Sequence, residues 1–180
     1  MALLLQFLFR LSFGLAVAVA ITSPRLVPSG FFRGHLYVIL GLDTLAGLFA
    51  LARPEFPLWP PLAAAFAAYA GAVFWLYEKP KPGKIVLELV AALNLAGAWL
   101  VTAVLSDSAT WLERGLNWLD PPSGGMALGS AMAAMLLGHW YLNTPTMELA
   151  PLRRLVLLLA GSIAVRAVLA AVGLGHEISI

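Results

Sequence analysis

Six stretches of this chain are each long enough and apolar enough to cross a bilayer, and together they take up most of its 180 residues. A hydrocarbon layer asks for roughly 17 to 25 predominantly apolar residues per helix. Every backbone polar group within that layer must be paired inside the protein, and a helix does so with its own residues. The expected fold class is therefore all-α: a polytopic membrane helix bundle of six transmembrane helices, one integral membrane domain over residues 1–180. Hydrophobic residues make up 61% of the chain and charged residues 11%, against roughly 45 to 50% and 25% in soluble domains. A water-soluble surface cannot be built from that composition.

The expected spans cover residues 3–22, 34–52, 60–77, 84–105, 126–143 and 151–174. Pro24 and Pro28 close the first, because proline withholds a donor and disfavours further helix. A secretory signal has a positive start, a short apolar core and a small-residue cleavage site; here the only charge, Arg10, interrupts the apolar run, so the segment reads as a retained helix. Pro60 and Pro61 suit the first turn of the third span, the most alanine-rich and therefore the weakest. The sequence EKPKPGK at 78–84 marks the clearest turn. Residues 106–125 form the longest connection. Within it, Thr110 and Glu113 have capping-box spacing, and Trp111, Leu112, Leu116 and Leu119 can share one side of a short helix. A short interfacial amphipathic helix near 110–119 is expected there, with Trp111 and Trp118 anchoring it in the membrane surface.

Small residues recur every fourth position at Gly125, Gly129 and Ala133, and again at Ala64, Ala68 and Ala72. In lipid such stripes let helix backbones approach closely, so both read as packing faces. With six crossings, Arg25, Arg33, Lys79, Lys81, Lys84, Arg153 and Arg154 fall on one side. Lys and Arg near span ends mark the cytoplasmic face. The connection 78–84 is accordingly expected in the cytoplasm, with both termini exterior or periplasmic.

Ionisable groups at membrane depth each require an account, since one costs about 2.5–3.5 kcal/mol at mid-bilayer on insertion scales. Arg10, Asp43 and Arg166 fall in the exterior half and are expected to form a buried charge cluster, a carboxylate between two guanidinium groups. A second group, His35, Glu88 and His139, lies towards the cytoplasmic ends of three spans, with Tyr141 beside His139. Two imidazoles on different helices can be axial ligands of a b-type haem. Histidine and glutamate can equally hydrogen-bond a quinone head and exchange its protons. A 2-His-1-carboxylate metal site is a third geometry, and plain interfacial histidines are the bland one. His176 belongs to the opposite side.

Other chemistries are excluded. The chain has no cysteine, hence no disulfide, thiolate metal site, thiol nucleophile or covalently attached c-type haem. No phosphate-cradling loop, dinucleotide fingerprint or HExxH appears, and Ser106, Asp107 and Ser108 have no histidine near in sequence to make a hydrolase triad. The net charge of +2 is an orientation signal, and nucleic-acid binding is rejected. The reading that results is a non-catalytic membrane subunit of a larger electron-transfer complex, touching haem or quinone through His35 and His139 and packed against other membrane subunits. The alternatives are a small proton-coupled or solute transporter with a polar path near Asp43, Asn94 and Arg166, and a purely structural or assembly protein.

Overall fold

The computed structural model describes residues 2–105, 110–144 and 148–179. The Ser106–Asp107–Ser108 segment and the turn at Pro145 lie outside them. Among the described residues the chain is an all-α bundle of six helices: α1 (Ala2–Ala20), α2 (Ser29–Leu51), α3 (Trp59–Leu76), α4 (Pro80–Leu105), α5 (Trp111–Asn143) and α6 (Ala150–Ser179). Five of them, all but α5, are long and apolar enough to cross a membrane. Their outward faces carry large apolar side chains, among them Phe66 at 75% exposure and Val168 at 62%, as a surface in contact with lipid would.

The central element is α1. It packs against α2, α4 and α5, while α3 closes the α2–α4 side and α6 rests chiefly on α5. Leu15, Ala16, Ala18 and Val19 of α1 are completely buried. Next to them Phe32 stacks on Trp75, ring centroids 3.9 Å apart and 8° from parallel.

Both small-residue stripes are packing faces. A Cβ added to Gly14 would lie 1.7 Å from the Gly125 carbonyl oxygen, and one added to Gly129 would lie 1.9 Å from the Gly14 carbonyl carbon. Helices α1 and α5 therefore touch backbone to backbone, a contact that only glycine permits. Ala133 continues the same face at 0% exposure, and Ala64, Ala68 and Ala72 are buried on α3. On the other side of α1, Gly97 of α4 makes room for the Phe9 ring, which a Cβ there would meet at 2.6 Å.

The 110–119 segment differs from expectation. It is not a separate short helix but the first third of α5, which runs unbroken from Trp111 through Pro121 and Pro122 to Asn143. Its start is as the spacing implies: Glu113 N–H donates to Thr110 Oγ1 at 3.2 Å and Thr110 N–H to Glu113 Oε2 at 3.3 Å. The helix runs through the prolines, and the carbonyl that the second one strands finds a partner. Pro122 has no N–H for the Trp118 carbonyl four residues back, and the Trp99 indole of α4 donates to that carbonyl at 2.9 Å.

The 78–84 turn is tighter than expected, because α4 already begins at Pro80 and carries Lys81 and Lys84 in its first turns. Glu78 adopts φ 53°. Around it Lys79 N–H bonds to the Phe74 carbonyl at 2.9 Å and Glu78 N–H to the Trp75 carbonyl at 3.3 Å, a left-handed helix stop built without glycine.

Gly14→Ala is expected to destabilise the bundle by about 1–3 kcal/mol or to prevent its folding, since the added methyl meets backbone that cannot step aside. Gly41→Ala, with nothing within 4 Å of the added carbon, is expected to be neutral or mildly stabilising. Thermal unfolding of the two variants in detergent makes the comparison.

Candidate functional site

Polar side chains of the bundle gather at two centres. In the first, Asp120 of α5 receives both Arg10 of α1 and Arg166 of α6. Arg10 Nη2 donates to Asp120 Oδ2, and Arg166 Nη1 donates to Asp120 Oδ1 at 3.0 Å. Gly124, one turn further along α5, leaves space for both guanidinium groups: an added Cβ would lie 2.7 Å from Arg166 Nη1 and 3.2 Å from Arg10 Nη1. Gln6 stands one turn before Arg10 on α1. With its amide oxygen turned to the donors, it accepts from Arg10 Nε at 3.1 Å, and its amide nitrogen donates to the Ala98 carbonyl at 3.0 Å. A cavity of about 200 Å³, lined by Leu116, Asn117, Asp120, Arg166, Leu169 and Ala170, opens beside the Arg166 end. At the same end of the α5–α6 pair, His176 comes within 3.7 Å of Glu113.

The carboxylate between the two arginines is thus Asp120, and Asp43 belongs to the second centre, between α1, α2 and α4. Asp43 is 1% exposed, and Asn94 and Ser12 are fully buried. Asn94 donates one amide hydrogen to Asp43 Oδ2 at 3.3 Å and the other to the Val90 carbonyl at 3.0 Å. The Ser12 hydroxyl stands beside the Asp43 carboxyl. Three oxygens, Asp43 Oδ1, Asn94 Oδ1 and Ser12 Oγ, are left without partners. Among the described residues Asp43 has no ion pair.

No protein-family model, no characterised protein and no solved structure matches the chain.

The histidines are placed differently from one another. His35 is 3% exposed. Its Nδ1 is 2.8 Å from the Phe31 carbonyl, its ring packs 4.1 Å from that of Phe31, and its Nε2 is unpartnered. If Nδ1–H donates to the carbonyl, Nε2 carries the lone pair, the arrangement a metal-ligating histidine requires. His139 and Glu88, by contrast, are exposed on α5 and α4. Tyr141 is half-buried and its hydroxyl donates to the Glu148 carbonyl, tying the end of α5 to the start of α6. The aromatic neighbour that α5 sends towards His35 is Trp140, whose ring lies 6.5 Å from Phe31. His35 alone therefore has the burial and the free nitrogen of an axial ligand or quinone contact.

Gln6, Ser12 and Asp120 are absent from the sequence-based site. The first two carry a readable signal, because each is a polar residue within an apolar span. Asp120 carries none, since the two prolines after it mark a loop to any local reading.

Asp120→Asn is expected to cost about 1–3 kcal/mol. That is below the roughly 3–5 kcal/mol for breaking a wholly buried pair, because the Asp120 and Arg166 side chains are 41% and 43% exposed. Thermal unfolding in detergent checks the loss, and combining the change with Arg166→Gln should lower stability by less than the sum of the two single effects.

Proposed function

We propose that the protein is a small ion-coupled membrane carrier, with Asp43 as the carboxylate that takes up and releases a proton or small cation at membrane depth. A single observation carries this reading: Asp43 is almost completely buried, yet its hydrogen-bond partner is a neutral amide and no cationic side chain pairs with it. A bare carboxylate in such a place is expensive. A carrier needs that cost, because a carboxylate locked to an arginine could not exchange its ion. Arg10, two residues from Ser12 on α1, is committed to Asp120 and Gln6 instead.

In this reading α5 supplies a sixth crossing through its 126–143 half. The Lys79, Lys81 and Lys84 end faces the cytoplasm under the positive-inside rule, and both termini face the exterior or periplasm. The cavity beside Asp120 and Arg166 is then the exterior mouth. The guanidinium groups there stay protonated and serve to attract and orient an anionic solute rather than to relay protons.

Reconstituted into vesicles with trapped pH- and sodium-sensitive dyes, the wild-type protein is expected to pass protons or sodium ions down an imposed gradient. Asp43→Asn should bring the rate down to that of empty vesicles. Equal rates for the two proteins, or a wild-type rate no higher than that of empty vesicles, would remove the proposal.

A second reading is favoured by His35: a non-catalytic subunit of an electron-transfer complex in which the free Nε2 ligates a b-type haem or bonds a quinone. His35→Ala is the test. An absorption spectrum of the membrane-extracted protein should show a reduced-minus-oxidised haem band that the variant lacks; for a quinone contact, extracted quinone should fall with the variant. Identical spectra and quinone content in both proteins would rule this role out.

A further inference from the structure

We propose that Ser12, Asp43 and Asn94 form a binding site for one monovalent cation of sodium size, held between α1, α2 and α4. The inference names the ion of the carrier reading and rests on that reading for the ion's passage, while binding itself can be measured without transport.

The behaviour of Ser12 is the first support. Serine and threonine in helices commonly return their hydroxyl to the carbonyl one turn back. Thr22, Thr44, Thr102, Ser123, Ser130 and Ser162 all do so, over 2.5 to 2.9 Å. Ser12, at 0% exposure, does not. Its oxygen is left beside the carboxyl of Asp43.

The second support is the donor count. Asn94 spends both amide hydrogens, on Val90 and on Asp43, so its Oδ1 can only accept. Asp43 Oδ1 can only accept while ionised. Three buried oxygens from three helices are thus unpaired, with one hydrogen among them, that of the Ser12 hydroxyl, and unpaired buried oxygens are costly. A cation answers all three together.

Charge and size select the ion. The site holds one carboxylate and two neutral groups, so a monovalent ion cancels its charge, whereas a divalent ion would leave a buried positive charge without a counterion. All the liganding groups are oxygens, which suits a hard cation over a transition metal. Small residues keep the three helices close around it: Ala46, Ala98 and Gly97 are buried on α2 and α4.

Thermal unfolding of the full chain in detergent, in choline chloride buffer at constant ionic strength, provides the test. Replacing choline with sodium is expected to raise the unfolding temperature saturably, with potassium and magnesium much weaker. Asp43→Asn should abolish the sodium response while leaving the protein at least as stable in choline, since the uncompensated charge is gone. Ser12→Ala removes one ligand without altering charge and should shift the sodium midpoint roughly tenfold higher. It also serves if Asp43→Asn fails to fold. No sodium response in the wild type, or equal responses to sodium, potassium and magnesium, would overturn the site; a response to pH alone that Asp43→Asn removes would replace it with a proton site. Sodium binding without flux would keep the site and remove the carrier, and flux without sodium dependence would do the reverse.

Discussion

Contact between the backbones of α1 and α5 at Gly14, Gly125 and Gly129 is the constraint from which the rest of the bundle follows. In lipid, helices gain little by hiding apolar side chains from solvent, so dispersion and close approach decide which faces meet. Because this approach admits no Cβ, it sets the rotation of α1 about its axis. One face of α1 is thereby given to α5, and Ser12 and Phe9 are turned towards α2 and α4. The same contact brings Arg10 alongside Asp120. Both polar centres are thus consequences of one glycine seam.

The two centres solve opposite problems. Around Asp120 there are two positive charges for one negative, the pairs reach the surface, and a carboxamide and a carbonyl take up remaining guanidinium hydrogens. That centre is satisfied by its own residues. Around Asp43 there is one negative charge, two neutral groups and a surplus of acceptors. Satisfied networks hold a fold in place, whereas buried acceptors left unpaired are costly.

Much of this architecture is legible in the sequence because lipid imposes simple rules. Spans 3–22 and 84–105 agree with α1 and α4 to within a turn, and the alternate stripes at Gly125–Gly129–Ala133 and Ala64–Ala68–Ala72 are buried as small-residue packing predicts. Pairing between side chains is less legible. Arg10 and Arg166 are recognisable as residues needing a carboxylate, but the choice between Asp43 and Asp120 depends on which way α1 is rotated, and no local pattern states that. Pro121 and Pro122 hide Asp120 further, since proline ends a helix unless its stranded carbonyl is capped, and the cap comes from Trp99 on another element. The histidines divide for a related reason. Sequence depth alone puts His35 and His139 at a similar level, but the angular position that buries one and exposes the other is set by tertiary contacts.

The Trp99 cap also has a mechanical meaning. Downstream of the proline pair α5 is bolted to α1 by glycine, while upstream it is moored to α1 by the Arg10–Asp120 pair and to α4 by one indole hydrogen bond and the tilted Trp99–Trp118 ring pair. The interrupted ladder at Pro121–Pro122 is therefore splinted on both sides by its neighbours α1 and α4. Those two helices are also the ones that face each other across the Asp43 carboxyl.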